Sequence, residues 1–148
     1  MSPLDLDLLA EKSMAVDRHL ARVKERLPPS PDSLLPSTDT SDAVILHLWQ
    51  ATQLVIDLAI AACLHLRLGG AASYADAFVR LRSAGALDAG LADRLVKAAG
   101  FRNVVAHAYD TLDMVRVHRA ATDGPADLRA FLARLRDRLT SESGSLLP

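Results

Sequence analysis

Cysteine is almost absent from this 148-residue chain, and the lone Cys63 cannot form an intrachain disulfide, so no covalent framework holds the fold. Aromatic residues make up only 4% against 50% hydrophobic residues in all. The core must therefore be built from Leu, Ala and Val rather than stacked rings, which favours helices. No excess of basic charge exists either: 17 Lys and Arg face 18 Asp and Glu. Any nucleic acid must then be held by a local patch and not by overall charge. A glycine-rich phosphate loop, a zinc pattern of cysteines, a serine-nucleophile motif and internal repeats are all missing, and the histidines show no metal-ligand spacing. Neither a metal nor a cofactor is expected. The longest apolar stretch, residues 54–68, is interrupted by Asp57, His65 and Arg67, too polar and too short for a membrane span. With no signal-peptide pattern at the N-terminus and a single thiol, the cytoplasm is the expected location.

What is present reads as one all-α domain over residues 1–148, a bundle of five to six helices. Apolar residues at helical spacing predict a first helix over residues 4–27, stopped by Pro28 and Pro29. Residues 28–40 hold four prolines and predict an internal loop. A long second helix follows a cap at Thr40 or Ser41 and runs from Asp42 to about Leu68, before Gly69 and Gly70. Its Val44, Ile45, Leu48, Trp49, Val55, Ile56, Ala59, Ile60 and Cys63 form a surface wider than one packing partner needs. A second subunit is expected to bury part of it. Its other face is expected to carry His47, Gln50 and Asp57. Ser73 and Asp88 are the expected caps of the third and fourth helices, the fourth reaching about His107. The sequence Asp123-Gly124-Pro125 reads as a turn between a fifth helix over 111–121 and a sixth over 126–139, with a loose tail from about Ser141.

The richest chemistry lies in Phe101-Arg102-Asn103-Val104-Val105-Ala106-His107-Ala108-Tyr109-Asp110, where a guanidinium, an amide, an imidazole and a phenol share an otherwise apolar stretch. Asn103 and His107 fall on one helical face, with Arg102 displaced by roughly 100° around the cylinder. Val104 and Val105 are expected to anchor that turn in the core, and Tyr109 to sit at the helix end or just beyond it. Such a set suits metal-independent RNA cleavage. An imidazole can take the ribose 2′-hydroxyl proton, and an arginine fork can bind the phosphate oxygens on which charge develops. Asn103 is a candidate to orient substrate or imidazole. One histidine is too few for both acid and base, which a symmetric dimer joining two copies of the cluster solves. An equally economical reading is that Arg102 and His107 cap or staple a helix end. Asp57 either pairs with an arginine inside the bundle or orients the site, and Arg129, Arg134, Arg136 and Arg138 read first as a solvated helix face.

The run from Arg102 through His107 to Tyr109 matches the R-x4-H-x-Y pattern of HepT-like proteins, a branch of the small all-helical HEPN superfamily. Gln53, Asp57 and His65 on the long helix, then Tyr74, Phe78, Leu81 and Gly85, then Gly100-Phe101-Arg102-Asn103 and Tyr109-Asp110, extend the resemblance over roughly residues 5–140. It implies a homodimeric ribonuclease toxin of a type VII toxin–antitoxin module, acting on mRNA or tRNA. Its partner would be an MntA-like minimal nucleotidyltransferase. Arg102 and His107 would be the catalytic pair, Asn103 the polar residue following the arginine, and Gln53 and Asp57 possible supports. Tyr109 would be the tyrosine that receives AMP units from ATP, silencing the toxin. The alternatives are a non-catalytic helical interaction protein and a nucleotide-binding module that holds phosphates without cutting.

Overall fold

The computed structural model describes residues 4–145, and it is all-α. Five α-helices follow one another among the described residues: α1 (Leu6–Arg26), α2 (Asp39–His65), α3 (Tyr74–Ser83), α4 (Ala89–His107) and α5 (Met114–Ser145). Single 3-10 turns at Pro31–Ser33 and Tyr109–Thr111 lie in the α1–α2 and α4–α5 connections.

Side-chain caps set the helix starts. Asp5, Ser73 and Asp88 each accept a backbone N–H of the first turn of α1, α3 and α4. At α2 the cap is Thr38, two or three residues earlier than the expected Thr40 or Ser41. The Ser41 amide donates to Thr38 Oγ1 (3.1 Å) and the Thr38 amide to Ser41 Oγ (3.0 Å), so Ser41 is the inner half of a capping box. At its other end α2 stops at His65, short of the glycine pair. Arg67 adopts a left-handed conformation (φ 59°), and the Leu68 amide closes back on the Cys63 carbonyl at 2.8 Å. Arg80 of α3 locks that end by donating to the Leu68 carbonyl at 2.7 Å.

The expected break at Asp123-Gly124-Pro125 does not occur. Pro125 lies inside α5, which runs unbroken from Met114. A proline in a helix interior costs about 3 kcal/mol. Against this, Val117, Ala121, Leu128, Phe131, Leu132, Leu135 and Leu139 keep one apolar stripe in phase across it, each large side chain contributing about 1.5–3 kcal/mol on burial. Gly124, just before the proline, removes the Cβ that would crowd the proline ring. The expected sixth helix is thus the second half of the fifth. The expected loose tail is helical as far as Ser145, and residues 146–148 lie outside the described residues.

Two apolar clusters result. The larger joins all five helices around Phe78 and Phe131, whose rings meet edge to face, and the smaller gathers Val23, Leu34, Val44, Ile45, Leu48, Val105, Val117 and Ala121 below the end of α4. The proline-rich segment belongs to this smaller cluster: Leu34 is buried in it, and His118 of α5 binds the Pro28 carbonyl at 2.8 Å.

Most of the wide apolar surface of α2 is consumed inside the chain. Val44, Ile45, Leu48, Val55, Ile56, Ala59 and Cys63 are all buried, with only Trp49 and Ile60 partly open. Little of that surface is left for the subunit contact expected from the sequence. By length and composition α2 could cross a membrane, yet half of its most hydrophobic window is buried against the other helices, as befits the central helix of the bundle.

Candidate active site

Arg102 is the most constrained residue of the cluster. It sits one and a half turns before the end of α4, and its guanidinium lies over two rings, 4.9 Å from the centroid of Trp49 (α2) and 5.1 Å from that of Tyr74 (α3). Its Nε donates to Gln53 Oε1 at 2.7 Å, and Gln53 Nε2 donates onward to Asp57 Oδ1 at 2.9 Å. Asp57 therefore forms no direct ion pair with Arg102; it fixes the amide that fixes the arginine. Asn103 Oδ1 accepts from Arg102 Nη1 at 3.2 Å, so the amide steadies the guanidinium and keeps its own NH2 donors. The rest of the fork remains available to an anion.

Trp49 bears a cost for this placement. Its indole Nε1 is the one buried side-chain polar atom without a partner among the described residues, a penalty of about 1–3 kcal/mol. The tryptophan supplies a ring under Arg102 in a place where its N–H goes unsatisfied.

His107 ends α4, exposed, five residues after Arg102. That spacing rotates the two Cα–Cβ directions by roughly 140° and separates them by about 7.5 Å along the axis. Asn103 and His107 share the exposed face as expected. Val105 is buried, but Val104 is 37% exposed and does not anchor the turn.

Tyr109 follows in the 3-10 turn and is 43% exposed. Its hydroxyl donates to Asp42 Oδ1, in the first turn of α2, at 2.6 Å. Burial of the hydroxyl first, then the hydrogen bond to Asp42 and the charges of Asp42 and Asp110, push the phenol up to about 12.

The remaining histidines stand apart. His47 pairs with His19 of α1 through their Nδ1 atoms at 3.0 Å, so it faces away from Asp57 and does not share a polar face with it. Burial, His47 and Arg18 together lower the His19 pKa. His65 binds Glu142 at 2.7 Å. Arg129 and Arg138 of the α5 arginine run reach Asp17 and Glu142. No group of three His, Cys, Asp or Glu residues among the described residues is placed to hold a metal.

The basic patch is elsewhere on α4 and α5. A groove of about 390 Å³ is lined by Arg94, Lys97, Arg116 and Arg119 around Phe101, against Asp123 and Asp127, of which Asp127 is taken by Arg94 at 2.8 Å. By helical geometry Lys97 and Phe101 lie roughly 80–120° around α4 from His107, across Gly100 and Val104. A larger groove of about 620 Å³ between α1 and α5 contains no member of the cluster.

Sequence reasoning did not single out Asp42 or this groove, and it placed Trp49 on the wide apolar surface of α2 and Tyr74 in the family framework, neither as the platform of Arg102. The signal for α2 was its spacing: Asp42, Trp49, Gln53 and Asp57 fall on one stripe.

The fold is shared with known proteins. The Shewanella oneidensis HEPN toxin, solved tri-AMPylated and in complex with its MNT antitoxin, superposes with a TM-score of 0.79 at 24% identity, covering 88% of this chain and 98% of that one. A toxin–antitoxin structure with AMP-PNP gives a TM-score of 0.80 at 23% identity over 88% and 98% of the two chains. A mutant of the MntA–HpeT toxin–antitoxin gives 0.77 at 23% over 87% and 98%. At these identities the likeness establishes the fold. No curated protein sequence matches significantly. The family profile described as Ribonuclease HepT-like matches residues 16–135, most of the chain and the whole cluster, and the protein belongs to that family.

Proposed function

We propose that the protein is a metal-independent endoribonuclease toxin, a single domain working as a homodimer in the cytoplasm, with Arg102, Asn103 and His107 at its site. The observation that carries this reading is the restraint on Arg102. Two rings and the Gln53–Asp57 pair hold the guanidinium, while part of its fork stays open and an exposed imidazole stands at the end of the same helix. A fixed cation supports charge stabilisation at a phosphodiester, because no reorganisation is needed when charge develops.

The 2′-hydroxyl attacks the adjacent phosphorus, a histidine takes its proton, and the 5′-oxygen of the next nucleotide leaves with a proton from a second acid. The angle between Arg102 and His107, and the need for two proton carriers, favour a site completed by the second subunit. Exposed Leu46, Val104 and Val115, at the His107 end of the bundle, offer apolar area for that contact in place of the buried face of α2. Flanking RNA would run into the groove of Lys97, Arg116 and Arg119, with Phe101 as a stacking surface. The substrate class is tRNA or mRNA.

The partner is a minimal nucleotidyltransferase of the MntA kind, which transfers AMP to Tyr109. The solved relatives described as toxin–antitoxin complexes, one of them tri-AMPylated, support this part. An anionic adduct two residues from His107 would fill the entrance and compete for Arg102. Cleavage of RNA in excess chelator by the unmodified protein tests the reading, together with sedimentation to establish the dimer. Loss of cleavage in His107→Ala with dimer and partner binding intact is expected. Cleavage undiminished by that change would return the cluster to an interaction or nucleotide-binding role.

A further inference from the structure

Tyr109 is exposed enough to meet a reagent, yet its hydroxyl is already engaged by a carboxylate on another helix. Asp42 is not needed where it stands for capping: the first turn of α2 is closed by the reciprocal Thr38–Ser41 pair. Its Oδ1 instead lies 2.6 Å from the Tyr109 oxygen, a short contact for a hydroxyl donating to a carboxylate. It occupies the N-terminal turn of a 27-residue helix, where the backbone N–H groups favour negative charge.

A phenol in this setting is a poor nucleophile by itself. With its pKa pushed up to about 12, only about one part in 10⁵ is ionised at pH 7. Asp110, next in the chain, is the other carboxylate acting on the hydroxyl, and it too disfavours phenolate. Nucleophilic attack therefore needs the proton to be removed as the new bond forms.

Resting on the reading of Tyr109 as the modified residue, we infer that Asp42 is the proton acceptor for its nucleotidylation, so that the toxin carries part of the catalytic machinery of its own silencing. The Tyr109 oxygen attacks the α-phosphorus of a nucleoside triphosphate, and the bond from that phosphorus to the oxygen bridging to the β-phosphate breaks. Pyrophosphate leaves, and the phenolic proton passes to Asp42 Oδ1 and then to solvent. The partner enzyme supplies the triphosphate and binds the leaving group. Asp42 touches the reacting oxygen and is thus a catalytic residue of this second reaction, distinct from the Arg102–His107 site.

The test is the rate of AMP addition, followed by intact mass, to the full-length protein mixed with its nucleotidyltransferase partner and Mg-ATP. Asp42→Asn keeps a hydrogen-bond acceptor and removes the basicity. It is expected to slow addition by about 10²-fold with KM for ATP unchanged. Its rate should climb with pH as phenolate forms, whereas the wild type stays nearly flat between about pH 6 and 9. Asp42→Glu should recover part of the rate. Circular dichroism and partner binding establish that each variant is folded. Wild-type rate in Asp42→Asn, or a slowed rate with the wild-type pH profile, would overturn the role of Asp42 while leaving Tyr109 as the modified residue. Undiminished addition to Tyr109→Phe would overturn the choice of tyrosine itself, and Asp42 with it.

Discussion

Arg102 and His107 are five residues apart on one helix and are held in opposite ways. The guanidinium is gripped by Trp49, Tyr74, Gln53 and Asn103, with Asp57 behind Gln53, whereas the imidazole stands exposed at the helix end. The contrast suggests a division of work. In the proposed reading, the charge that would meet the phosphate is preorganised within one chain, at the cost of a buried indole N–H, and the proton carrier would be completed by substrate and a second subunit.

Breaking the fixed half should have the largest effect. Arg102→Ala is expected to lower kcat for RNA cleavage by about 10²–10³-fold. Arg102→Lys should recover little of it, because an ammonium cannot bond Gln53 and Asn103 while presenting a planar fork. Single-turnover kinetics on a labelled RNA would show this, and full activity in the lysine variant would count against a bidentate role.

Loosening the grip without removing the charge sharpens the contrast. Gln53→Leu, which cuts the link from Asp57, should cost about tenfold in kcat with KM little changed, as expected for a misplaced group. Trp49→Phe keeps a ring under Arg102 while deleting the unsatisfied N–H, so it should melt at the wild-type temperature or above it. A clear drop in melting temperature would indicate a partner for that N–H. In the groove, Lys97→Glu should act through KM and weaken the salt dependence of binding, the opposite pattern to Gln53→Leu.

The titrations give the smallest effects. A folded-state phenol raised to about 12 ionises later than the unfolded one, so its contribution to stability is complete below about pH 10 and is lost between about pH 10 and 12. Asp42→Asn should lower that pKa only in part, since burial is its first cause; phenolate absorbance would follow it. His19 has the opposite sign. Its lowered pKa means that the unfolded chain binds protons more readily, so stability should fall as pH drops below about 6.5. Replacing His19 by Asn should flatten the melting temperature in that range.

Much of this was legible in the sequence where local chemistry and tertiary packing agree. Ser73 and Asp88 cap α3 and α4 as read, α4 ends at His107, and Tyr109 lies just beyond it. Reading failed where packing overrode a local signal. Pro125 was outvoted by an apolar stripe in phase on both sides of it, and the Gly69–Gly70 stop was pre-empted by Arg67, a residue that rarely takes a left-handed conformation. At the site, periodicity placed Trp49 on α2 but could not say which side chain would lie above it. The Asp42–Tyr109 bond spans 67 positions, and no local pattern encodes that pairing.

The most direct test of the proposed Arg102–His107 site is cleavage of RNA by the unmodified protein in excess chelator, with analysis of the product ends, for wild type and His107→Ala. The arrangement predicts 2′,3′-cyclic phosphate and 5′-hydroxyl ends from the wild type, and a loss of about 10²–10⁴-fold in a variant that still dimerises. Cleavage that stops with the chelator, or that survives in His107→Ala, would contradict it.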